Sequence, residues 1–337
     1  MVTSLLKATA LRSKYLTPAA YSKVITANRT AAVVGATSGI GQACAHRLAE
    51  QGYTVLAIGR DRAGRAEAIV EELTAKSKKG LNSEDPSQIP KHEFYPCDAF
   101  SLKDVNQTAQ KIMKDHPTVD VVVLTQGMAT SQGFTPTKEG NDEKLTLHYY
   151  SRVAMANALL PALRSSTMQN GPVVLTVLSG GAHSAYAKFK EDVTLEKNYS
   201  ISNAANAAGF YTDLGFDKMA LDDKNRNINF VHASPGFVNT NWGTEFNTLL
   251  RCMVRMMQPL GRKASDCAEY MLSPTVFASE AGEALVERLN GNAEGLYVMG
   301  ENGQTKGLTK EHTNDARDFV WNHTVQVLKK AGIEDMH

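Results

Sequence analysis

A chain of 337 residues with 42% hydrophobic residues has ample apolar material for a buried core. Its formal net charge of +1 excludes a dedicated nucleic-acid binder, and no apolar run approaches the roughly 18 residues that a membrane-spanning helix needs. The four cysteines (Cys44, Cys97, Cys252, Cys267) have no CxxC spacing and read as reduced thiols, while the nine histidines form no HExxH or comparable pattern, so no metal is expected.

Residues 1–29 carry Lys7, Arg12, Lys14, Lys23 and Arg29, and the first acidic residue is Glu50. This N-terminal extension is expected to be helical and packed on the domain, because Pro18 and an irregular apolar stripe disfavour the alternative, a mitochondrial transit peptide. The expected compartment is therefore the cytoplasm, with the mitochondrion as the alternative. From 30 to 337 the chain reads as one domain, without a composition break or linker.

An apolar strand over 31–34 runs straight into Gly35-Ala36-Thr37-Ser38-Gly39-Ile40-Gly41. An amphipathic helix follows over 42–51 and is closed by Gly52. Strand, glycine turn and helix N-terminus together form a cradle for a dinucleotide pyrophosphate. Gly35 permits the tight turn, Gly39 the approach of phosphate, and Gly41 the close packing of helix on strand. Further strand patterns occur at 54–58, 92–95, 119–124, 173–178, 229–232 and 296–299, separated by helical ones. This alternation implies right-handed crossovers and an α/β fold: a doubly wound parallel sheet of about seven strands, with helices on both faces and ligands at the carboxyl ends of the strands. The polar, proline-containing stretch 76–91 reads as a surface loop before the third strand. Trp321, Val325 and Leu328 share a stripe of a last amphipathic helix over 315–330.

These features resemble the short-chain dehydrogenase/reductases, whose fingerprint T-G-x-x-x-G-I-G is met here with Val34 in place of the Thr. The resemblance covers nearly the whole chain from about Thr30 and is nearest to a fungal branch laid out like the retinol-dehydrogenase type. It implies a single Rossmann domain with a helical substrate lid over about 244–274, a nicotinamide cofactor and a small-molecule substrate. A homo-oligomer is a further possibility that it carries. In the lid, Met253, Met256 and Met257 suit either an adaptable apolar wall or plain core packing. Arg251, Arg255, Arg262 and Lys263 give it a basic face, read as solvated rather than as membrane-binding.

By the same resemblance the cofactor is held by Gly35, Thr37, Ser38, Gly39, Ile40 and Gly41, and by Arg60, which follows the second strand. Arg60 occupies the family's Arg position and Gly59 the place of an NAD-type acid, which points to NADP(H). Asp98 matches the aspartate beside the adenine amino group. Gln126 and Gly127 occupy the place of the family's Ala-Gly. Pro235, Gly236, Val238 and Thr240 match P-G-x-V-x-T near the nicotinamide.

The family transfers hydride with a Ser, a Tyr and a Lys, helped by an Asn; the Lys cation lowers the Tyr pKa from near 10. Ser179 matches the serine. A gapless register back from Pro235 puts Ala205 at the Tyr position and Gly209 at the Lys position. A second register puts Tyr199 at the Tyr position and Asn203 at the Lys position, with a downstream insertion. In neither does a Lys follow a Tyr by one turn. His148 occupies the Asn position, either as a proton carrier or as a structural histidine holding a helix bend. The catalytic candidates are thus Ser179, His148 and Tyr199. The expected function is an NADP(H)-dependent oxidoreductase for a small, largely apolar metabolite, with secondary metabolism as the expected setting and a non-standard proton donor. An enzyme of another class on this scaffold, such as an isomerase or cyclase, and a non-catalytic nucleotide-binding protein are the alternatives.

Overall fold

A computed structural model describes residues 28–240, 248–275 and 295–336. Its main sheet contains β1 (Thr30–Val34), β2 (Thr54–Gly59), β3 (Glu93–Pro96), β4 (Val121–Leu124), β5 (Val173–Val177), β6 (Asn229–Ala233) and β7 (Tyr297–Met299). The strands are all parallel, in the order β3-β2-β1-β4-β5-β6-β7. The helices are α1 (Gly39–Glu50), α2 (Ala66–Leu81), α3 (Leu102–Asp115), α4 (Ser151–Arg164), α5 (Ile201–Ala220), α6 (Thr248–Met257), α7 (Ala264–Met271) and α8 (Asn314–Lys330).

The near-continuous apolar strands are explained by burial on both faces. In β4, Val122 and Leu124 enter one core layer with Val105 and Ile112 of α3, Phe210 of α5 and Val320 of α8. Val121 and Val123 alternate into the other layer, with Leu48 of α1, Leu73 of α2 and Met271 of α7. The chain winds outward from β1 to β3, then returns to β4 on the other side of β1. The strand order therefore reverses between β1 and β4, and the crevice at their carboxyl ends is where such a sheet accepts a ligand.

Arg29 joins the domain by pairing with Asp120 at 3.1 Å and donating to Thr167 Oγ1 at 3.0 Å. The rest of the N-terminal extension, residues 1–27, lies outside the described residues, as do 241–247 at the start of the expected lid. No helix among the described residues is long and apolar enough to cross a membrane.

The structure differs from the sequence expectation in three places. The stretch 76–91 is not all loop, because α2 continues to Leu81. Its last turns lie against α1: Ser77 Oγ donates to Ala49 O at 2.9 Å, and Lys76 pairs with Glu50 at 3.3 Å. A Cβ at Gly80 would lie 2.0 Å from Glu50 O, so only glycine permits this approach. Second, the buried stripe of α8 is Ala316, Val320, Thr324, Val327 and Leu328, leaving Trp321 and Val325 half-buried. It is turned toward Tyr149, whose hydroxyl meets Thr324 Oγ1 at 2.6 Å. Third, Met253, Met256 and Met257 are exposed rather than packed in the core.

Candidate active site

At the carboxyl end of β1, Gly35 adopts φ +86° and its amide donates to Ile58 O at 2.9 Å. Thr125, just past β4, fills the adjacent notch and donates its hydroxyl to Val34 O at 2.7 Å. A Cβ on Gly41 would lie 2.3 Å from both Gly35 O and Thr125 Oγ1. Thr125 was not singled out in the sequence, yet it makes Gly41 obligatory.

The N-terminus of α1 is open. Ser38 makes no side-chain cap bond, and no acidic residue stands in the first turn. The amides of Gly39, Ile40 and Gly41 precede the first intrahelical bond, and the positive dipole end of α1 favours an anion there. Thr240 lies over the turn, its Cγ2 3.5 Å from where a Gly39 Cβ would be, so the PGFVNT segment and the glycine turn meet. Gly236 adopts φ +68° and Val238 is buried. After β2, the Arg60 guanidinium lies 5.7 Å from the centroid of the Phe100 ring. Asp98 Oδ1 accepts from the amide of the same Phe100 at 3.2 Å. A Cβ at Gly59 would meet Thr37 Cγ2 at 2.9 Å, so an acid at this position would displace Thr37.

Beyond β4, Gln126 is turned inward and donates to Ser151 Oγ at 3.3 Å, while its Oε1 is buried without a partner. His148 lies in a π-helical turn, Thr146–Tyr150, immediately before α4. Its Nε2 accepts the Met128 amide at 3.0 Å and would lie 3.3 Å from a Cβ on Gly127. Burial, with the charges of Arg152 and Lys144, brings its pKa down to about 3, so the ring is neutral and buttresses the Gly127–Met128 turn. Tyr149 and Tyr150 are tied to the C-terminal helix, through Thr324 and His323 respectively. Arg152 is fully buried and bridges strand ends: it donates to Gln126 O at 2.6 Å, Thr176 Oγ1 at 2.6 Å and Val177 O at 3.0 Å. Burial lowers its pKa to about 9, and it stays cationic at neutral pH.

Tyr199 sits just before α5. Its hydroxyl takes a hydrogen bond from Lys144 Nζ at 2.8 Å, and Lys144 also donates to Gln132 O at 2.7 Å. This Tyr–Lys contact joins two distant segments and could not be seen from spacing. Burial nonetheless raises the Tyr199 pKa to about 12.

Ser179 follows β5, and its surroundings are built from residues that the sequence gave no reason to group. Its amide donates to His232 Nε2 at 3.1 Å. Its hydroxyl lies 3.3 Å from His183 Nδ1, and its carbonyl oxygen accepts from that nitrogen at 2.9 Å. His183 Nε2, His232 Nδ1 and His312 Nε2 converge on the buried carboxylate of Asp213, at 3.2, 2.6 and 3.0 Å. The ligand-type atoms of His183, Asp213 and His312 gather within 4.8 Å of one another. Proton placement favours hydrogen bonds there over a metal. The Thr309 amide donates to His312 Nδ1 at 3.1 Å, so Nε2 carries the proton that it gives Asp213. Gly209, the Lys position in the gapless of the two registers, packs against this group: a Cβ there would lie 2.4 Å from His183 Cγ and 2.5 Å from Ser179 Oγ.

Residues 29–249 match the short chain dehydrogenase family. The chain belongs to the short-chain dehydrogenases. Among curated relatives, Oxidoreductase AN1596 of Emericella nidulans is 27% identical over 330 residues, covering 90% of this chain and 94% of that protein. Oxidoreductase andH of Emericella variicolor is 29% identical, covering 89% of this chain and 91% of its own length. A solved short chain dehydrogenase from Shigella flexneri, complexed with NADP, superimposes with a TM-score of 0.52 at 16% identity. That likeness covers 76% of this chain and 92% of the other and concerns the fold.

Proposed function

We propose that this chain is an NADP(H)-dependent oxidoreductase acting on a small, largely apolar metabolite, with the proton handled at Ser179 rather than by a Tyr–Lys pair one turn apart. The observation that carries the reading is the uncapped N-terminus of α1 behind Gly35–Gly41, with Thr240 over Gly39 and with Arg60 and Asp98 each in contact with Phe100. The cradle fits a dinucleotide: the glycine at 41 lets α1 pack directly on the Gly35 turn, and no carboxylate stands in the first turn of α1 to repel a phosphate. The amides of Gly39, Ile40 and Gly41 would hold the pyrophosphate with Thr37 and Ser38 beside them, Arg60 the 2′-phosphate and Asp98 the adenine. Gln126 and Gly127 lie along the crevice, and Pro235, Gly236, Val238 and Thr240 would face the nicotinamide. A reduced nicotinamide bound there supplies hydride. Ser179 Oγ binds and protonates the substrate oxygen, His148 holds the Gly127–Met128 turn, and Tyr199 with Lys144 is a second, outlying hydroxyl–ammonium pair. Exposed Phe237, Met253 and Met256 supply apolar surface for the substrate.

Binding titrations with NADPH and NADH test the cofactor. Arg60→Ala is expected to weaken NADPH at least roughly tenfold and leave NADH nearly unchanged, since one charged hydrogen-bonding partner of the phosphate is lost. An unaltered preference would refute the role of Arg60. Stereospecifically deuterated NADPH, incubated with candidate carbonyl metabolites, tests hydride transfer. Turnover without label in the product would support the second reading, an isomerase or cyclase, which the absence of a lysine at Gly209 favours. Ser179→Ala is expected to lower turnover at least roughly tenfold, the usual worth of a positioned proton donor.

A further inference from the structure

The hydrogen bonds around Asp213 assign the protons on its three imidazoles. An amide can only donate and a carbonyl or carboxylate only accept, whereas the hydroxyls of Ser179 and Thr309, which also meet ring nitrogens, can do either. His232 takes the Ser179 amide on Nε2, so its proton is on Nδ1, donated to Asp213 Oδ1. His312 Nδ1 meets the Thr309 hydroxyl at 3.0 Å and amide at 3.1 Å, both able to donate to it, with the Thr309 carbonyl farther off at 3.3 Å; the nearer contacts leave its proton on Nε2, donated to Asp213 Oδ2. One proton on each of these two rings meets those contacts. His183 differs. Its Nδ1 faces the Ser179 carbonyl and its Nε2 faces Asp213 Oδ2, and both of these oxygens are acceptors. Nδ1 lies nearer the Ser179 carbonyl oxygen, at 2.9 Å, than the Ser179 hydroxyl, at 3.3 Å, so a proton on each nitrogen best satisfies the two acceptors and makes His183 an imidazolium paired with the Asp213 carboxylate.

This ring occupies the space that a side chain at Gly209 would enter, and its charged Nδ1–H lies within 3.3 Å of Ser179 Oγ. We infer that His183, held as a cation by Asp213, is the proton reservoir behind Ser179. It supplies what a lysine at position 209 would supply elsewhere in the family. The inference rests on the reductase reading of the site. When the substrate carbonyl carbon has received hydride, its oxygen takes the Ser179 Oγ proton. Ser179 takes the Nδ1 proton of His183. The neutral ring keeps Nε2–H on Asp213 and is recharged by one proton from water, so each reduced carbonyl consumes one proton from solution. In this scheme Ser179 is the catalytic residue, while His183 and Asp213 act through it.

The groups facing His183 agree with a stable cation. Asp213 reaches it from α5 and His312 from the segment before α8. Neutral His232 stacks on it from β6, with ring centroids 5.7 Å apart. Arg152 of α4 lies behind His232, and the stem of Lys306 covers Gly181. Burial alone would lower the His183 pKa, but its hydrogen bond to Asp213, the charge of Asp213 and the bond to Ser179 O together raise it above its ordinary value. The Asp213 carboxyl is buried, yet its three imidazole partners hold it well below the usual carboxylate range.

The test has two readouts. The first is an NMR titration of ¹⁵N-histidine-labelled protein without nucleotide, which needs no activity. His183 should titrate above 6.5, the ordinary histidine value. Its pKa should fall in Asp213→Asn and rise in His312→Phe, which removes one donor from the carboxylate while keeping a ring. His312→Phe carries the test should Asp213→Asn fail to fold. The second is the pH profile of reduction. Turnover should fall as pH rises through the His183 pKa, and this limb should move with the NMR value in the variants. His183→Gln should lower kcat at least tenfold with little change in KM and abolish the limb. A His183 that is neutral at pH 6.5, or a limb indifferent to these variants, overturns the inference. Deuteride transfer with an indifferent limb overturns it and leaves the reductase reading intact. Failure of deuteride transfer in the unaltered protein overturns that reading, and the proton role with it.

Discussion

Gly41→Val is expected to abolish nucleotide binding and to destabilise the protein by about 3 kcal/mol, lowering the Tm by roughly 5 °C for a domain of this size. The argument is one of space. A Cβ at residue 41 would lie 2.3 Å from Gly35 O, a backbone atom, and equally close to Thr125 Oγ1, whose hydroxyl is bonded to β1. Neither neighbour can withdraw without opening the β1–α1 turn or the junction of β1 with β4. Gly39→Ala is the control. Its Cβ would meet only Thr240 side-chain atoms, at 3.5 and 3.6 Å, so the cost is conformational, about 1 kcal/mol for a left-handed alanine. Differential scanning calorimetry and NADPH titration distinguish the two. Equal effects of the two variants would mean that space at residue 41 is not what fixes the turn.

Gly209→Lys is expected to fail as a restoration of the family's catalytic lysine. It should lower turnover at least roughly tenfold, by displacing the serine and imidazole that handle the proton. The new Cβ would lie 2.4 Å from His183 Cγ and 2.5 Å from Ser179 Oγ before the rest of the side chain is placed. Glycine inside a helix costs about 1 kcal/mol relative to alanine, so its presence in α5 marks a position where space outweighs propensity. His183→Gly combined with Gly209→Lys should be more stable than Gly209→Lys alone by at least about 1 kcal/mol, because the two residues compete for one volume. Thermal unfolding of the two variants checks this. Gly209→Lys with an unchanged Tm and turnover would refute the packing argument.

The sheet was legible because each strand is an apolar run bounded by turn residues. All seven expected strands are present, shifted by a residue or two at their ends. The error at 76–91 arose because a helix whose outer face is lysine-rich resembles a loop when its inner contacts, Ser77 and Gly80 against α1, are unknown. The glycine turn was legible because its roles are local: a tight turn and an exposed helix end follow from adjacent residues. The surroundings of Ser179 were not. His183, Asp213, His232 and His312 come from a loop, a helix, a strand and a C-terminal segment, and no spacing connects them. The one hint available was negative: glycine and alanine where the family places its Lys and Tyr leave a volume that something else must fill. Tyr199 finds Lys144 for the same long-range reason, 55 residues away in the chain.

His312 has a consequence for how such a protein changes over time. The match to the family model ends at residue 249, yet one of the three protons that steady the Asp213 carboxylate comes from beyond it. Tyr149 and Tyr150 are likewise fastened to α8 through Thr324 and His323. The glycine turn lies within the segment that the family model matches, whereas the hydrogen bonding of the Asp213 carboxylate is completed by a segment outside it. Two proteins with identical glycine turns can therefore differ in the pH at which they work through substitutions near residue 312 alone, and exchanging C-terminal tails between relatives would transplant that property without touching the cofactor.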